Sequence, residues 1–307
     1  MKHKKFVSAV AYVHDAENEI AMFLQTLYDV LEGNFENFEI ICVNDSSADN
    51  SGQVIRDFAD TVANCMISMV NTGFHQGIEQ AMLAGLDLAI GDFVFEFDDI
   101  IVDYEPDLIM KIFDKCIQGF DIVSCGNGGK RVSSKIFYSI YNRHSGSQYE
   151  LKSETFRVIS RRAINRVYSM SPSPIYRKAL YRNCGLKTDY LQYKGQSARP
   201  SRKHVLKDPH DTALTSLVLF TNVAYKAALA LTIIMMLATL GSLGYIVVIY
   251  FIGNPVEGYT TMMALLSGAF FGIFAILAVM IKYLSLLLRL VFQRQRYVLE
   301  SVEKLTG

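Results

Sequence analysis

No GxGxxG turn follows the first apolar run, and no GxxxxGK[ST] occurs anywhere in the chain. The first absence argues against a dinucleotide-binding dehydrogenase, and the second excludes a P-loop NTPase. No CxxC pair occurs among Cys42, Cys65, Cys116, Cys125 and Cys184. Their odd number and irregular spacing argue against a disulfide framework or a zinc site and favour buried, reduced thiols in a cytosolic compartment. Net charge is also lacking, since 30 Lys+Arg meet 30 Asp+Glu over 307 residues. That balance excludes a uniformly basic nucleic-acid binder, and a hydrophobic content of 51% excludes a disordered chain. The basic start is interrupted by His14, Asp15 and Glu17 too soon for a signal peptide, so the N-terminal domain is expected to stay where it is made.

The zero charge hides a partition. Residues 1–129 carry 6 basic and 22 acidic side chains, net −16. Residues 130–226 carry 19 and 5, net +14, and residues 227–307 carry 5 and 3, net +2. Asymmetry of this kind points to segments with separate tasks.

Between residues 227 and 281 the only charge is Glu257, and Gly253-Asn254-Pro255 marks a turn. Each arm, 227–252 and 259–281, exceeds the roughly 20 apolar residues that one membrane crossing needs. Lys194, Arg199, Arg202, Lys203, Lys207 and Lys226 precede the first arm. Lys282, Arg289, Arg294, Arg296 and Lys304 follow the second, whereas the loop 253–258 has no basic residue. The positive-inside rule puts both termini on the cytoplasmic side. Residues 212–226 read as an interfacial amphipathic helix, and the basic run before them as a site for anionic headgroups or as a topology determinant. The expected organisation is a cytoplasmic domain over 1–211, the interfacial helix, a two-helix hairpin within 227–290, and a cytoplasmic tail over 291–307.

The first half alternates strand and helix signals. Strands are expected at 6–13, 38–43, 65–70 and 93–97, and helices at 20–31, 49–59 and 77–89. Ser46, Ser47 or Asp49 is expected to cap the second helix. This order predicts an α/β domain with a mainly parallel sheet. Ligands of such sheets bind beyond the carboxyl ends of the strands. The loops there hold His14, Asp15 and Glu17, then Asn44, Asp45 and Asp49, then Asp98, Asp99, Asp103 and Glu105. Acidic loops suggest a nucleotide held through base and ribose, with a divalent cation on its diphosphate.

Several of these segments resemble one family. Ser8-Ala9-Val10-Ala11-Tyr12-Val13-His14-Asp15-Ala16-Glu17-Asn18 resembles the SVVIPVYNEEEN opening of family 2 glycosyltransferases. Ile40-Ile41-Cys42-Val43-Asn44-Asp45-Ser46-Ser47-Ala48-Asp49 resembles their IIVVDDGSTD. Asp98-Asp99-Ile100 falls where that family has DxD, and Phe156-Arg157-Val158-Ile159-Ser160-Arg161 resembles its FRLISR. With two C-terminal spans, the chain is similar to the bacterial polyprenyl-phosphate branch, relatives of dolichol-phosphate mannose synthase. There are departures. Tyr12 replaces the family proline, His14 its tyrosine, Asn44 its first aspartate and Ile100 the second aspartate of DxD, and Thr155 stands where many relatives carry aspartate. Val102 sits at a usual third metal contact. A metal site is then rebuilt from Asp98, Asp99 and Asp103, or weakened, or lost.

The resemblance implies a GT-A (Rossmann-like) fold and an inverting transferase. It would move a sugar from a nucleotide-sugar donor to a polyprenyl (undecaprenyl) phosphate at the bacterial inner membrane, for cell-surface glycans. It implies donor binding by Tyr12, His14, Glu17, Val43, Asp45 and Asp98, and catalysis by Asp98, Asp99 and Arg157. It also implies Mg²⁺ or Mn²⁺ on Asp98 and Asp99, acceptor-phosphate contacts from Arg131, Lys135, Arg157 and Arg161, and a homo-tetramer. The departures leave two alternatives open: a degenerate transferase serving as a binding or assembly subunit, and a transferase acting on a lipid-linked glycan.

Overall fold

The computed structural model describes residues 2–63, 65–127, 152, 154–170, 177–195 and 297–306, with single helical positions between 234 and 287. The chain divides into two compact units, Met1–Thr212 with Gln295–Gly307, and Ala213–Arg294.

The first unit is built on one sheet. In chain order come β1 (Val7–Val13), α1 (Ile20–Asn34), β2 (Phe38–Asn44), α2 (Ser51–Ala59), β3 (Met66–Thr72), α3 (Ile78–Leu88) and β4 (Phe93–Phe97). After them come α4 (Asp107–Ile117), β5 (Ile122–Gly126), β6 (Phe156–Ser160), α5 (Arg161–Met170), α6 (Arg177–Asn183), β7 (Thr188–Gln192) and β8 (Leu299–Lys304). The sheet order is β7-β5-β6-β4-β1-β2-β3-β8. Strands β4, β1, β2 and β3 run parallel, β6 is antiparallel to both β4 and β5, and β8 is antiparallel to β3. The sheet is therefore mixed at both sides of a parallel centre.

The strands and helices expected in the first hundred residues are present, with ends shifted by a few positions. All seven residues of β1 are buried, as a strand covered on both faces requires. Helix α1 buries Ile20, Phe23, Leu24, Leu27 and Leu31 at helical spacing. Helix α2 begins at Ser51, and its N-cap Asn50 makes no side-chain cap bond. Asp49 instead accepts from the Ser51 amide at 3.0 Å. Gly85 is required by packing: a Cβ there would lie 2.4 Å from Val10 Cγ1 and 2.6 Å from Val43 Cγ2. Helix α3 thus lies directly on β1 and β2.

All five cysteines are buried and free. Burial pushes the Cys42, Cys65 and Cys116 thiols up to about 12, so they are inert at neutral pH.

In the second unit, the described positions Met262, Leu266, Ile273, Met280 and Leu287 are helical and exposed. Among the described residues no helix is long and apolar enough to cross a membrane. Most of 227–252 and 259–281, and all of 212–226, lie outside the described residues.

Candidate functional site

The chain runs from β1 to β2 and β3 on one side of the sheet, and β4 returns to the other side of β1. The order reverses between β1 and β4, and a crevice opens at such a point beyond the carboxyl ends of the strands. Asp45 follows β2 on one side of it, and Asp98 follows β4 on the other.

Asp45 is fully buried. Its Oδ1 accepts from Thr72 Oγ1 and the Gln76 amide, both at 2.9 Å. Its Oδ2 accepts from Tyr12 OH at 3.0 Å and the Gly77 amide at 2.9 Å, and lies 3.0 Å from His75 Nδ1. The carboxylate is thus the anchor of the β3–α3 loop, and the Tyr12 hydroxyl is spent on it. Burial and the Asp45 charge push that hydroxyl well above its ordinary range. Above Asp45, His14 stacks on His75 at 4.2 Å, and His14 Nδ1 lies 2.8 Å from the Asp45 carbonyl oxygen.

The β1–α1 and β2–α2 loops are laced together. The Asp15 amide donates to Ser47 Oγ, the Ala16 amide to Ser51 Oγ, and the Ala48 amide to Asp15 Oδ1. Glu17 Oε2 accepts from the Asn50 amide. Asp15 (φ 46°) and Ser46 (φ 53°) hold the left-handed conformation at these corners. Glu17 therefore fixes the neighbouring loop. The Val43 side chain lies under α3 against Gly85, so any donor contact from this position comes from its backbone.

On the other side lies a buried network of charges. Arg157 Nη1 donates to Glu96 Oε2 at 2.5 Å, Nη2 to Asp98 Oδ2, and Nε to Glu154 Oε2 at 3.1 Å. Arg177 Nη1 donates to Glu96 Oε2 at 2.7 Å, Nη2 to Asp98 Oδ1 at 2.9 Å, and Nε to Glu79 Oε2 at 3.0 Å. Tyr181 OH donates to Glu96 Oε1 at 2.5 Å. Arg182 Nη2 donates to Glu154 Oε1 at 2.8 Å, and Lys178 Nζ lies 3.3 Å from Asp98 Oδ2. Glu79, Glu96, Asp98 and Glu154 thus meet Arg157, Arg177, Lys178 and Arg182, four against four. Burial alone would raise the Asp98 pKa, but the charges of Arg157, Lys178 and Arg177 outweigh it and hold the carboxyl far below its usual range.

This geometry shows how two of the residues expected to contact phosphate are used within the chain. Arg157 is 0% exposed and spends its guanidinium on three carboxylates. It faces Glu96 across the β4–β6 pair because both sit in register. Its nitrogens hold Glu96, Asp98 and Glu154. Arg161 follows Ser160, which pairs with Phe93 at the amino end of β4. It donates to the Ala89 and Gly91 carbonyls, at the end of the sheet opposite Asp98. Arg131 and Lys135 lie outside the described residues.

The same geometry tests the metal. Both Asp98 oxygens are taken by cations, and Ile100 is buried. Asp103 Oδ1 accepts from Tyr193 OH at 2.6 Å and Oδ2 from Asn127 Nδ2 at 3.1 Å. Asp99 Oδ1 accepts from the Ile101 amide at 3.2 Å. Among the described residues no three candidate ligands converge. A divalent ion needs several oxygen ligands, and the Asp98 and Asp103 carboxylates are already held by side chains of the chain itself.

Glu79, Glu96, Glu154, Arg177, Lys178, Tyr181 and Arg182 were not singled out from the sequence. The available signal was Glu96 within Phe93-Val94-Phe95-Glu96-Phe97 and Arg157 within Phe156-Arg157-Val158-Ile159. A charge inside each of two apolar strands must find a partner.

The sequence model of Glycosyl transferase family 2 matches residues 15–185. Among curated proteins, an uncharacterized glycosyltransferase of Synechocystis is 27% identical, over 61% of this chain and 60% of its own length. A prophage bactoprenol glucosyl transferase homolog of Escherichia coli K12 is 27% identical, over 61% of this chain and 62% of its own. The chain thus spans about three-fifths of these relatives. The uncharacterized glycosyltransferase YkcC of Bacillus subtilis is 22% identical over 84% of this chain and 82% of its own.

Proposed function

The chain belongs to glycosyl transferase family 2, and from that premise we propose that it moves a sugar from a nucleotide-sugar donor to a polyprenyl phosphate. The observation that carries this reading is the strand reversal between β1 and β4, with Asp45 and Asp98 flanking the crevice above it. A nucleotide would enter over the laced β1–α1 and β2–α2 loops, with the stacked His14 and His75 rings beside the base. The lipid acceptor is supported by the relatives called bactoprenol glucosyl transferases and by one named an undecaprenyl-phosphate 4-deoxy-4-formamido-L-arabinose transferase.

The chemistry asks little of a general base. A polyprenyl phosphate is ionised at neutral pH and is its own nucleophile, so positioning dominates. Thr155, hydrogen-bonded at 2.8 Å to Tyr193, is compatible with that demand. In-line attack on the anomeric carbon gives inversion. Charge develops on the departing diphosphate and needs fixed cations. Arg131 and Lys135 are proposed for the acceptor phosphate. The acceptor would arrive from a membrane that the 227–281 hairpin spans, with the catalytic unit on its cytoplasmic face. The exposed apolar side chains of Met262, Leu266, Ile273, Met280 and Leu287 support that placement.

One observation favours a second reading. Asp98 and Arg157 bind each other, and in this second reading the chain keeps the fold as a binding subunit without turnover. One assay separates the two. Purified full chain is given a panel of nucleotide sugars with undecaprenyl phosphate, and lipid products are read by mass spectrometry. A lipid-linked monosaccharide is expected; donor binding without product from any donor would favour the binding subunit.

A further inference from the structure

We propose that β8 is a working part of the donor site: it holds the β3–α3 loop on Asp45, and Gln76 is the positioning residue through which it does so. The inference rests on the donor-binding reading and extends that site to residues 297–304.

Three observations carry it. First, Gln76 faces two ways. Its backbone amide donates to Asp45 Oδ1 at 2.9 Å. Its side-chain amide pairs with the backbone of Val298, just before β8. The Val298 amide donates to Gln76 Oε1 at 2.8 Å, and Gln76 Nε2 donates to the Val298 carbonyl at 2.6 Å. The Gly73 amide donates to the same carbonyl at 3.2 Å. A two-way pair of this kind uses both ends of the side-chain amide and fixes its direction. Second, the loop has little apolar packing of its own. Residues 73–75 are exposed, and Phe74, the one apolar side chain between Gly73 and Gly77, is 56% exposed. A loop with so little buried apolar surface depends on its hydrogen bonds and opens at low cost. Its inward bonds, from the Gln76 and Gly77 amides and from His75, end on Asp45. Third, β8 is a fixed post. It pairs with β3 from Ser68 to Thr72, and Glu303 holds Arg56 of α2 through two bonds of 2.9 Å. Just before the strand, Tyr297 OH donates to Asp87 Oδ2 of α3 at 2.8 Å. His75, stacked on His14 beside the proposed base position, therefore sits on a loop fastened from 297–304. Those residues follow 213–294 in the chain, so the donor loop is fastened only after that segment has been made.

The test uses the full chain, with uridine and guanosine diphosphates as calorimetric probes. Gln76→Leu removes both bonds to Val298 and leaves the backbone amide able to reach Asp45. With the loop in its binding form about a tenth of the time, the diphosphate should bind about tenfold more weakly. Arg56→Glu loosens the strand from a position outside the loop. It should weaken the diphosphate by about threefold or more, and adding Glu303→Arg should restore the affinity. Amide exchange without nucleotide should rise at 73–77 in both single variants and stay unchanged in β1 and β2, as a local opening requires. A strand that only adds stability would lower the melting temperature of both variants and leave the diphosphate affinity at the wild-type value, which overturns the proposal. Weaker binding in Gln76→Leu with wild-type affinity in Arg56→Glu overturns it as well, because Gln76 then acts without the strand. If neither diphosphate binds the wild type, the donor-binding reading fails, and with it the role of β8 in that site. Exchange at 73–77 then still decides separately whether the strand holds the loop.

Discussion

Arg157 has each nitrogen committed to a carboxylate, and that fixes what its removal should do. Arg157→Met would leave Glu96, Asp98 and Glu154 short of a cation in a buried setting. Breaking a buried ion network from one side costs about 3–5 kcal/mol. A fall in the melting temperature of about 10 °C is expected by calorimetry; an unchanged melting temperature would show that the network does not stabilise the fold. The same groups set the acid limb of stability. Asp98 and Glu154 both have folded-state pKa values lowered by their cations, against the effect of burial. Their contribution is therefore complete above about pH 5 and is lost as pH falls through the unfolded carboxylate values toward the lowered folded ones. Denaturation curves should show stability dropping steeply there. Asp98→Asn should start less stable at pH 7 and lose less on acidification, and parallel acid limbs would contradict this. Asp98 and Arg157 were each visible in the sequence as chemically suggestive. Their being each other's partner was not, because they stand 59 residues apart on strands whose pairing no local pattern records.

At the level of elements, the parallel centre of the sheet was legible because each strand is a short apolar run followed by a polar loop. Helix α3 shows why the Ala84-Gly85 step matters. In an exposed helix Gly→Ala gains about 1 kcal/mol, but here the added carbon would meet Val10 and Val43 well inside contact distance. Gly85→Ala should therefore destabilise, by about 1–3 kcal/mol in chemical denaturation, and a gain in stability would refute the packing argument. Strand β8 was read only as part of a tail over 291–307. Its partner β3 lies some 230 residues earlier, and its own side chains alternate without a long apolar run. It nevertheless braces the β3–α3 loop: the Val298 carbonyl accepts from the Gly73 amide and from Gln76 Nε2. Arg56 and Glu303 clamp it through two bonds of 2.9 Å. Arg56→Glu should raise amide exchange across 299–304, and the swap Arg56→Glu with Glu303→Arg should restore protection. Unaltered exchange in the single variant would remove the clamp from the account.

For the whole molecule, the charge partition has a partly internal meaning. Glu79, Glu96 and Asp98 come from the acidic first segment, and Arg157, Arg177, Lys178 and Arg182 from the basic second. Some of the −16 and +14 is thus cancelled across a buried interface between strands and helices, and only the remainder is available to a membrane or an acceptor. If the hairpin spans a bilayer, the full chain should stay with the membrane fraction through an alkaline carbonate wash, and its release would contradict that placement. The central claim is narrower: the crevice at the β1–β4 reversal holds the nucleotide. Hydrogen exchange of the full chain, with and without uridine or guanosine diphosphate, tests it directly. The account predicts protection confined to residues 14–17, 45–51 and 72–77 and to the loop that begins at Asp98 after β4. Protection elsewhere, with these segments unchanged under a diphosphate that demonstrably binds, would contradict it.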